Sequence, residues 1–191
     1  DLLSVGIDPE RTVIYLQSGV PAVYDLAILL QMLVPSERLQ RLDSVRDMAE
    51  AAGQKNAMSL GLLAYPVLQA ADILMAQAQV IPIGGDNLAH IEIARELAGR
   101  FNELYGSLFV LPEARVSRTP LLPGIDPGDG PTVKMSKSRG NAIWLRDDSQ
   151  AVHDKVATLG GPRLRAFVDA FIEDEAQRNE LLASIDDGSA S

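Results

Sequence analysis

Val80-Ile-Pro-Ile-Gly-Gly-Asp-Asn-Leu-Ala-His90 decides how the chain folds: a short apolar run, two glycines, then an Asp/Asn pair placed to cap a helix. The pattern predicts a strand that ends at the glycines and a helix from about Leu88 to Phe101. Its buried stripe would be Ile91, Ala94, Leu97, Ala98 and Phe101. Glycines at a strand-to-helix turn admit a ligand close to the backbone, and the free amides of a helix start attract anionic oxygens. Such turns are common, so the reading depends on what flanks this one.

Upstream, Tyr65, Gln69 and Asp72 fall at i, i+4 and i+7 of Tyr65-Pro-Val-Leu-Gln-Ala-Ala-Asp-Ile-Leu-Met75, so a helix carries all three on one face. Pro66 is expected in the first turn of that helix, where a missing N–H costs nothing. Most polar stripes are simply wetted surface. This one holds no lysine or glutamate and reads as a pocket wall. Downstream comes Lys134-Met-Ser-Lys-Ser138, followed by Arg139, Gly140 and Asn141. Two ammonium groups at that spacing, with small hydroxyls and a trailing glycine, suit a mobile loop that closes over a triphosphate. Its lysines would stabilise charge developing on departing pyrophosphate. A bare lysine pair would default to a solvated loop, whereas the full pentapeptide is far rarer by chance.

In this order and spacing, residues 65 to 72, 84 to 90, Arg95-Glu-Leu-Ala-Gly-Arg-Phe-Asn102 and the loop at 134 resemble the bacterial tryptophanyl-tRNA synthetase family of class I aminoacyl-tRNA synthetases. The likeness runs from about Val5 to Val156. Thr12 to Val20 looks like that family's strand leading into its connecting region. The resemblance implies an α/β fold: a Rossmann-like parallel nucleotide-binding sheet with flanking helices and a helical C-terminal part. The N-terminal half of the nucleotide fold is expected to be missing, because no His-Ile-Gly-His-type element is present. Residues 1–150 would be part of the class I catalytic domain, connecting region included, and 151–191 a partial helical C-terminal region.

The activity implied is that of a cytoplasmic tryptophan–tRNA ligase. It would activate L-tryptophan with ATP, with Mg2+ carried by the nucleotide, and pass the product to tRNA(Trp). A homodimer is implied, with the region around Ala22 to Leu63 in the subunit contact. The resemblance also places roles. Asp72 accepts a hydrogen bond from the indole N–H, Tyr65 and Asn87 hold the charged ends of the amino acid, and Gln69 lies in the same substrate-binding wall. Gly84, Gly85 and Asp86 line the ATP ribose and phosphates, and Leu122 meets adenine through backbone groups. Lys134, Met135, Ser136, Lys137 and Ser138 bind ATP, the two lysines as catalytic cations. Gln69 stands where many tryptophan enzymes have methionine, Asn87 where glutamine is usual, and Gly85 where a charge is usual. A tyrosine-specific relative therefore stays open as an alternative, as does a non-catalytic paralogue that binds tryptophan or ATP.

Composition narrows the other classes. Zero cysteines exclude a disulfide framework and thiolate zinc sites, and His90 and His153 are too few and too distant for a metal cluster. A net charge of −9 lacks the basic excess of a dedicated nucleic-acid binder. The RNA partner follows from the resemblance alone, with Lys134, Lys137, Arg139, Arg163 and Arg165 as the local cations. Asp72, Gln77 and Gln79 interrupt the longest apolar stretch, so no membrane span or signal peptide is expected. Elsewhere the pattern predicts a strand over Thr12 to Leu16, an apolar helix over Val23 to Met32 and a charged helix over Leu39 to Ala52. Gly53 to Ser59 reads as a loop, and Pro120 to Pro131 as a flexible segment whose Asp126-Pro-Gly-Asp-Gly130 lacks calcium-loop spacing. Ala142 to Leu145 would return to the sheet, and helices would follow Ser149.

Overall fold

The apolar run at Val80–Ile83 forms strand β1, and its partner is the strand Glu113–Val116, β2. They pair in parallel, Val80 opposite Glu113 through Ile83 opposite Val116. Parallel neighbours need a crossover, and the helix Leu88–Tyr105, α5, supplies it. The expected α/β architecture is thus present as a β–α–β unit in this computed structural model, which describes residues 3, 6–119, 121–125 and 134–188. The Asp126 to Gly130 segment lies outside the described residues.

Helix α5 outruns the expected end by a turn and stops at Gly106, whose φ of 96° an L side chain rarely adopts. Asn102 in its last turn accepts the Leu108 and Phe109 amides, both at 2.9 Å, and so aims the chain toward β2. Its expected stripe is correct: Ile91, Ala94, Leu97 and Ala98 are buried and Phe101 is half-buried. Against it lies the helix Leu60–Met75, α4, with Ala22–Gln31, α1, on α4's flank. Val23, Leu30, Val67, Leu74, Ile91 and Leu97 form the centre of this core.

Three local expectations need correction. Helix α4 begins at Leu60, because Ser59 caps it by accepting the Leu62 amide at 3.3 Å; Pro66 therefore lies in the helix interior, buried, and not in the first turn. The charged helix over Leu39 to Ala52 is two helices, Ser36–Gln40 (α2) and Asp43–Ala51 (α3). Leu42 between them is extended at φ −68°, ψ 125°, a bend that buries Leu39, Leu42 and Val45 together. Thr12 to Leu16 and Ala142 to Leu145 join no strand, since among the described residues neither run has a neighbour to supply a hydrogen-bond ladder.

The chain divides into two compact units, residues 15–117 and residues 1–14 with 118–191. After the loop at Lys134–Ser138 the described residues of the second form the helices Ser149–Ala157 (α6), Gly161–Phe171 (α7) and Glu175–Asp186 (α8). Asp148 and Asp174 cap α6 and α8 through amides at 2.8 Å. The expectation of helices beyond Ser149 is met. Arg163 is buried, which takes it out of the open basic patch read from the sequence, whereas Arg165 stays partly exposed and pairs with Asp186. Among the described residues no helix is long and apolar enough to cross a membrane.

Candidate functional site

Helical spacing places Tyr65, Gln69 and Asp72 on one face of α4, all half-buried, between the fully buried positions that fix the helix in the core. Asp72 has a partner remote in sequence. Gln17, in a short 3-10 turn before α1, donates its side-chain N–H to Asp72 Oδ2 at 2.8 Å. Among the described residues nothing occupies Oδ1. A carboxylate held by one oxygen and open at the other is set to accept one further N–H or O–H from a ligand.

A second polar group passed over in the sequence lies beside it. His90 on α5 is 4% exposed, and its Nδ1 lies 2.5 Å from Gln69 Oε1 and its Nε2 2.7 Å from Ser44 Oγ. A carbonyl oxygen accepts only, so Nδ1 carries the proton and Nε2 takes the Ser44 hydroxyl hydrogen. The Tyr65 ring stands 5.5 Å from the imidazole, centroid to centroid, and its hydroxyl is 3.5 Å from Nε2. Gln69 is thereby turned so that its carbonyl is engaged, which leaves its amide hydrogens to donate elsewhere. His90 precedes the buried stripe and shares a helix face with Ala94 and Leu97, a signal that would have placed it inside.

Burial pushes the His90 imidazole below its ordinary value of 6.5, and Asp86 pulls more weakly the other way. Between the two values the unfolded chain holds the proton and the folded chain does not. Stability is therefore full above about pH 6.5 and declines as pH falls toward the folded value. In thermal melts the Tm of the wild type is expected to fall faster below about pH 6.5 than that of His90→Gln. Identical pH slopes contradict this.

The turn after β1 is built as expected in outline. Gly84 is extended at φ −76°, ψ 160°, Gly85–Asn87 make one 3-10 turn, and α5 starts at Leu88. Asn87 is the N-cap residue but makes no side-chain cap; its amide donates to Asp86 Oδ1 at 3.2 Å instead. The structure thus groups Tyr65, Gln69 and His90 in one network, puts Asp72 with Gln17, and turns Asn87 toward Asp86.

In the other unit, Lys134 bridges to Pro123, and the Met135 amide donates to the Leu122 carbonyl at 3.2 Å. Leu122 is thus the backbone neighbour of the loop, with one carbonyl lone pair already used. Lys137–Arg139 form a 3-10 turn, and Gly140 ends it in the left-handed region at φ 70°. Lys134 and Lys137 are exposed. Lys137 Nζ lies 5.9 Å over the Trp144 ring, and Arg146 is on the same ring at 5.4 Å. Asp147 accepts the Trp144 amide and the Lys155 ammonium, and this pairing, Lys155 first, holds its carboxyl below the usual carboxylate range. An open groove of about 410 Å³ runs beside Met135, Ser136, Lys137 and Trp144. Cationic side chains along such a groove can neutralise an anion of phosphate type.

A family model described as tRNA synthetases class I (W and Y) matches residues 1–159. The tryptophan–tRNA ligase of Chlamydia caviae is 50% identical over 160 residues, which are 83% of this chain and 45% of that protein. That of Treponema pallidum is 51% identical over 159 residues, 83% of this chain and 46% of that protein. The crystal structure of Campylobacter jejuni tryptophanyl-tRNA synthetase complexed with ADP and tryptophan superposes with a TM-score of 0.68 at 33% identity, covering 95% of this chain and 58% of that one. The chain spans about half the length of the curated relatives it matches.

Proposed function

Because the chain belongs to the class I tRNA synthetases of the tryptophan and tyrosine group, we propose that it carries the amino-acid and triphosphate machinery of a tryptophan–tRNA ligase. The observation that carries the reading of the amino-acid site is Asp72, with Gln17 on one oxygen and the other open, on the α4 face that also presents Tyr65. The indole N–H is the donor this acceptor takes. Tyr65 and Asn87 serve the charged ends of the amino acid, with Gln69 held in the same wall by His90. The Chlamydia caviae and Treponema pallidum relatives, at 50% and 51% identity, are named for tryptophan, which supports that reading over tyrosine.

The reaction is substitution at phosphorus. A tryptophan carboxylate oxygen attacks the α-phosphorus of ATP, a new P–O bond forms, the bond to the bridging oxygen breaks, and pyrophosphate leaves with the electron pair. Gly84, Gly85 and Asp86 serve the ribose and phosphates, and Leu122 the adenine. Met135, Ser136 and Ser138 complete the ATP-binding loop around Lys134 and Lys137, whose ammonium groups balance the charge that grows on the leaving oxygens. Positioning and electrostatics suffice, so no general-base triad is needed. Among the described residues no three His, Cys, Asp or Glu side chains are grouped to hold a metal ion. Magnesium enters as the ion that ATP brings, where it would share the phosphate charge. Transfer to tRNA(Trp) follows, in the cytoplasm. The exposed apolar side chains of α1, Tyr24, Ile28 and Leu29, with Met32 just after it, support a homodimer contact there.

Exchange of labelled pyrophosphate into ATP by the intact protein tests this. Tryptophan is expected to start the exchange and tyrosine neither to replace it nor to compete. Exchange driven by tyrosine would transfer the site to the other amino acid. No exchange with either would leave a binding protein without the activity.

A further inference from the structure

Asn141 is fully buried, yet it belongs to an exposed cationic loop, and its carboxamide is used at only one end. Its Oδ1 accepts the Ser136 amide at 2.7 Å. Its backbone carbonyl accepts the Ile125 amide at 3.1 Å. Its Nδ2 has no partner among the described residues and lies against Gly124: a Cβ built on that glycine would stand 2.0 Å from Nδ2 and 2.7 Å from the carboxamide carbon. Gly124 is itself buried and has no side chain to move, so the contact leaves space for one group only.

Around this contact the backbone is tied on both sides. The Met135 amide reaches Leu122 before the turn, the Ile125 amide reaches Asn141 after it, and the Gly140 amide closes on Lys137 at 3.2 Å. The left-handed Gly140 reverses the chain so that Asn141 points inward under the turn it ends. Leucine at 141 would leave the Ser136 amide without its acceptor, and a larger residue at 124 would push the carboxamide out.

We propose that Asn141 is a positioning residue, locked between the Ser136 amide and Gly124, which seats residues 134–141 on residues 122–125 as one rigid piece and so aims Lys134 and Lys137. Loop motion then occurs by displacement of the whole clasp and not by flexing between its lysines. This rests on the reading of those lysines as phosphate-binding cations.

The test is a double-mutant cycle in the intact protein, read by pyrophosphate–ATP exchange and by trypsin nicking after Lys137 and Arg139, with circular dichroism to monitor folding. Asn141→Ala is expected to lower kcat about a hundredfold and to leave KM for ATP within about twofold, because misaimed lysines lose the transition state and not the ground state. Gly124→Ala alone should act alike. Added to Asn141→Ala it should cost less than about twofold more, since the atom it meets is gone. Both single variants should be nicked faster than wild type while the rest of the chain keeps its helicity. Multiplying losses in the double variant, a loss confined to KM, or unchanged nicking overturns the proposal. Should the wild-type protein lack exchange altogether, the functional reading falls, and equal nicking of wild type and Asn141→Ala would still reject the clasp.

Discussion

Lys137→Ala in the intact protein is expected to slow formation of the tryptophanyl adenylate by about 10²- to 10³-fold and to leave tryptophan binding within about twofold. The ammonium group is asked to act on charge that exists only as pyrophosphate departs, so its loss is felt in the rate and hardly in the amino-acid complex. Lys137 belongs to a unit separate from the one that carries Tyr65, Gln69 and Asp72. Single-turnover rates measured beside equilibrium dialysis of labelled tryptophan separate the two quantities. Losses of equal size in both would show that the loop holds the amino acid and that its assignment to the phosphates is mistaken.

The second large effect concerns Asp72. Asp72→Asn keeps the shape of the side chain, and Gln17 can still donate to its remaining carbonyl oxygen. The group then turned outward is an NH2, a donor set against the indole N–H. A hydrogen bond to a charged acceptor contributes about 1.5–3 kcal/mol, a factor of roughly 10 to 150, and an unpaired donor adds to the loss. We expect kcat/KM for tryptophan to fall by about 10²-fold or more. The benzothienyl analogue, which has sulfur in place of the ring N–H, makes the comparison specific. Wild type should discriminate strongly against it, and Asp72→Asn should discriminate little. Equal discrimination by both proteins would remove Asp72 from recognition of the ring nitrogen.

The parts of this molecule that obey one local period were legible in the residues. Apolar spacing gave α5 and its stripe, and i, i+4, i+7 spacing put Tyr65, Gln69 and Asp72 on a common face. The strand-turn-helix at 80 to 90 followed from its glycines. What escaped depends on partners remote in sequence. Gln17 meets Asp72 across 55 residues, and no periodicity connects them. The Gln69–His90–Ser44 chain joins three helices, so the spacing around His90 does not reveal its partners. Pro66 reads as a first-turn residue only as long as the Ser59 cap, six residues before Tyr65, goes unseen. Residues 12 to 16 and 142 to 145 carry strand-forming side chains, but a strand also needs a neighbour, and propensity does not supply one. Asn141 stood in plain view after the signature lysines. Its burial depends on the chain folding back under its own turn onto Gly124, which spacing does not reveal.

Structure determination of the intact protein with tryptophan bound decides whether Asp72 reads the ring nitrogen. The indole nitrogen is expected within hydrogen-bond distance of Asp72 Oδ1, with the Gln17 amide still on Oδ2. An indole whose nitrogen faces another group, with the Asp72 carboxylate turned away from the ring, would contradict it.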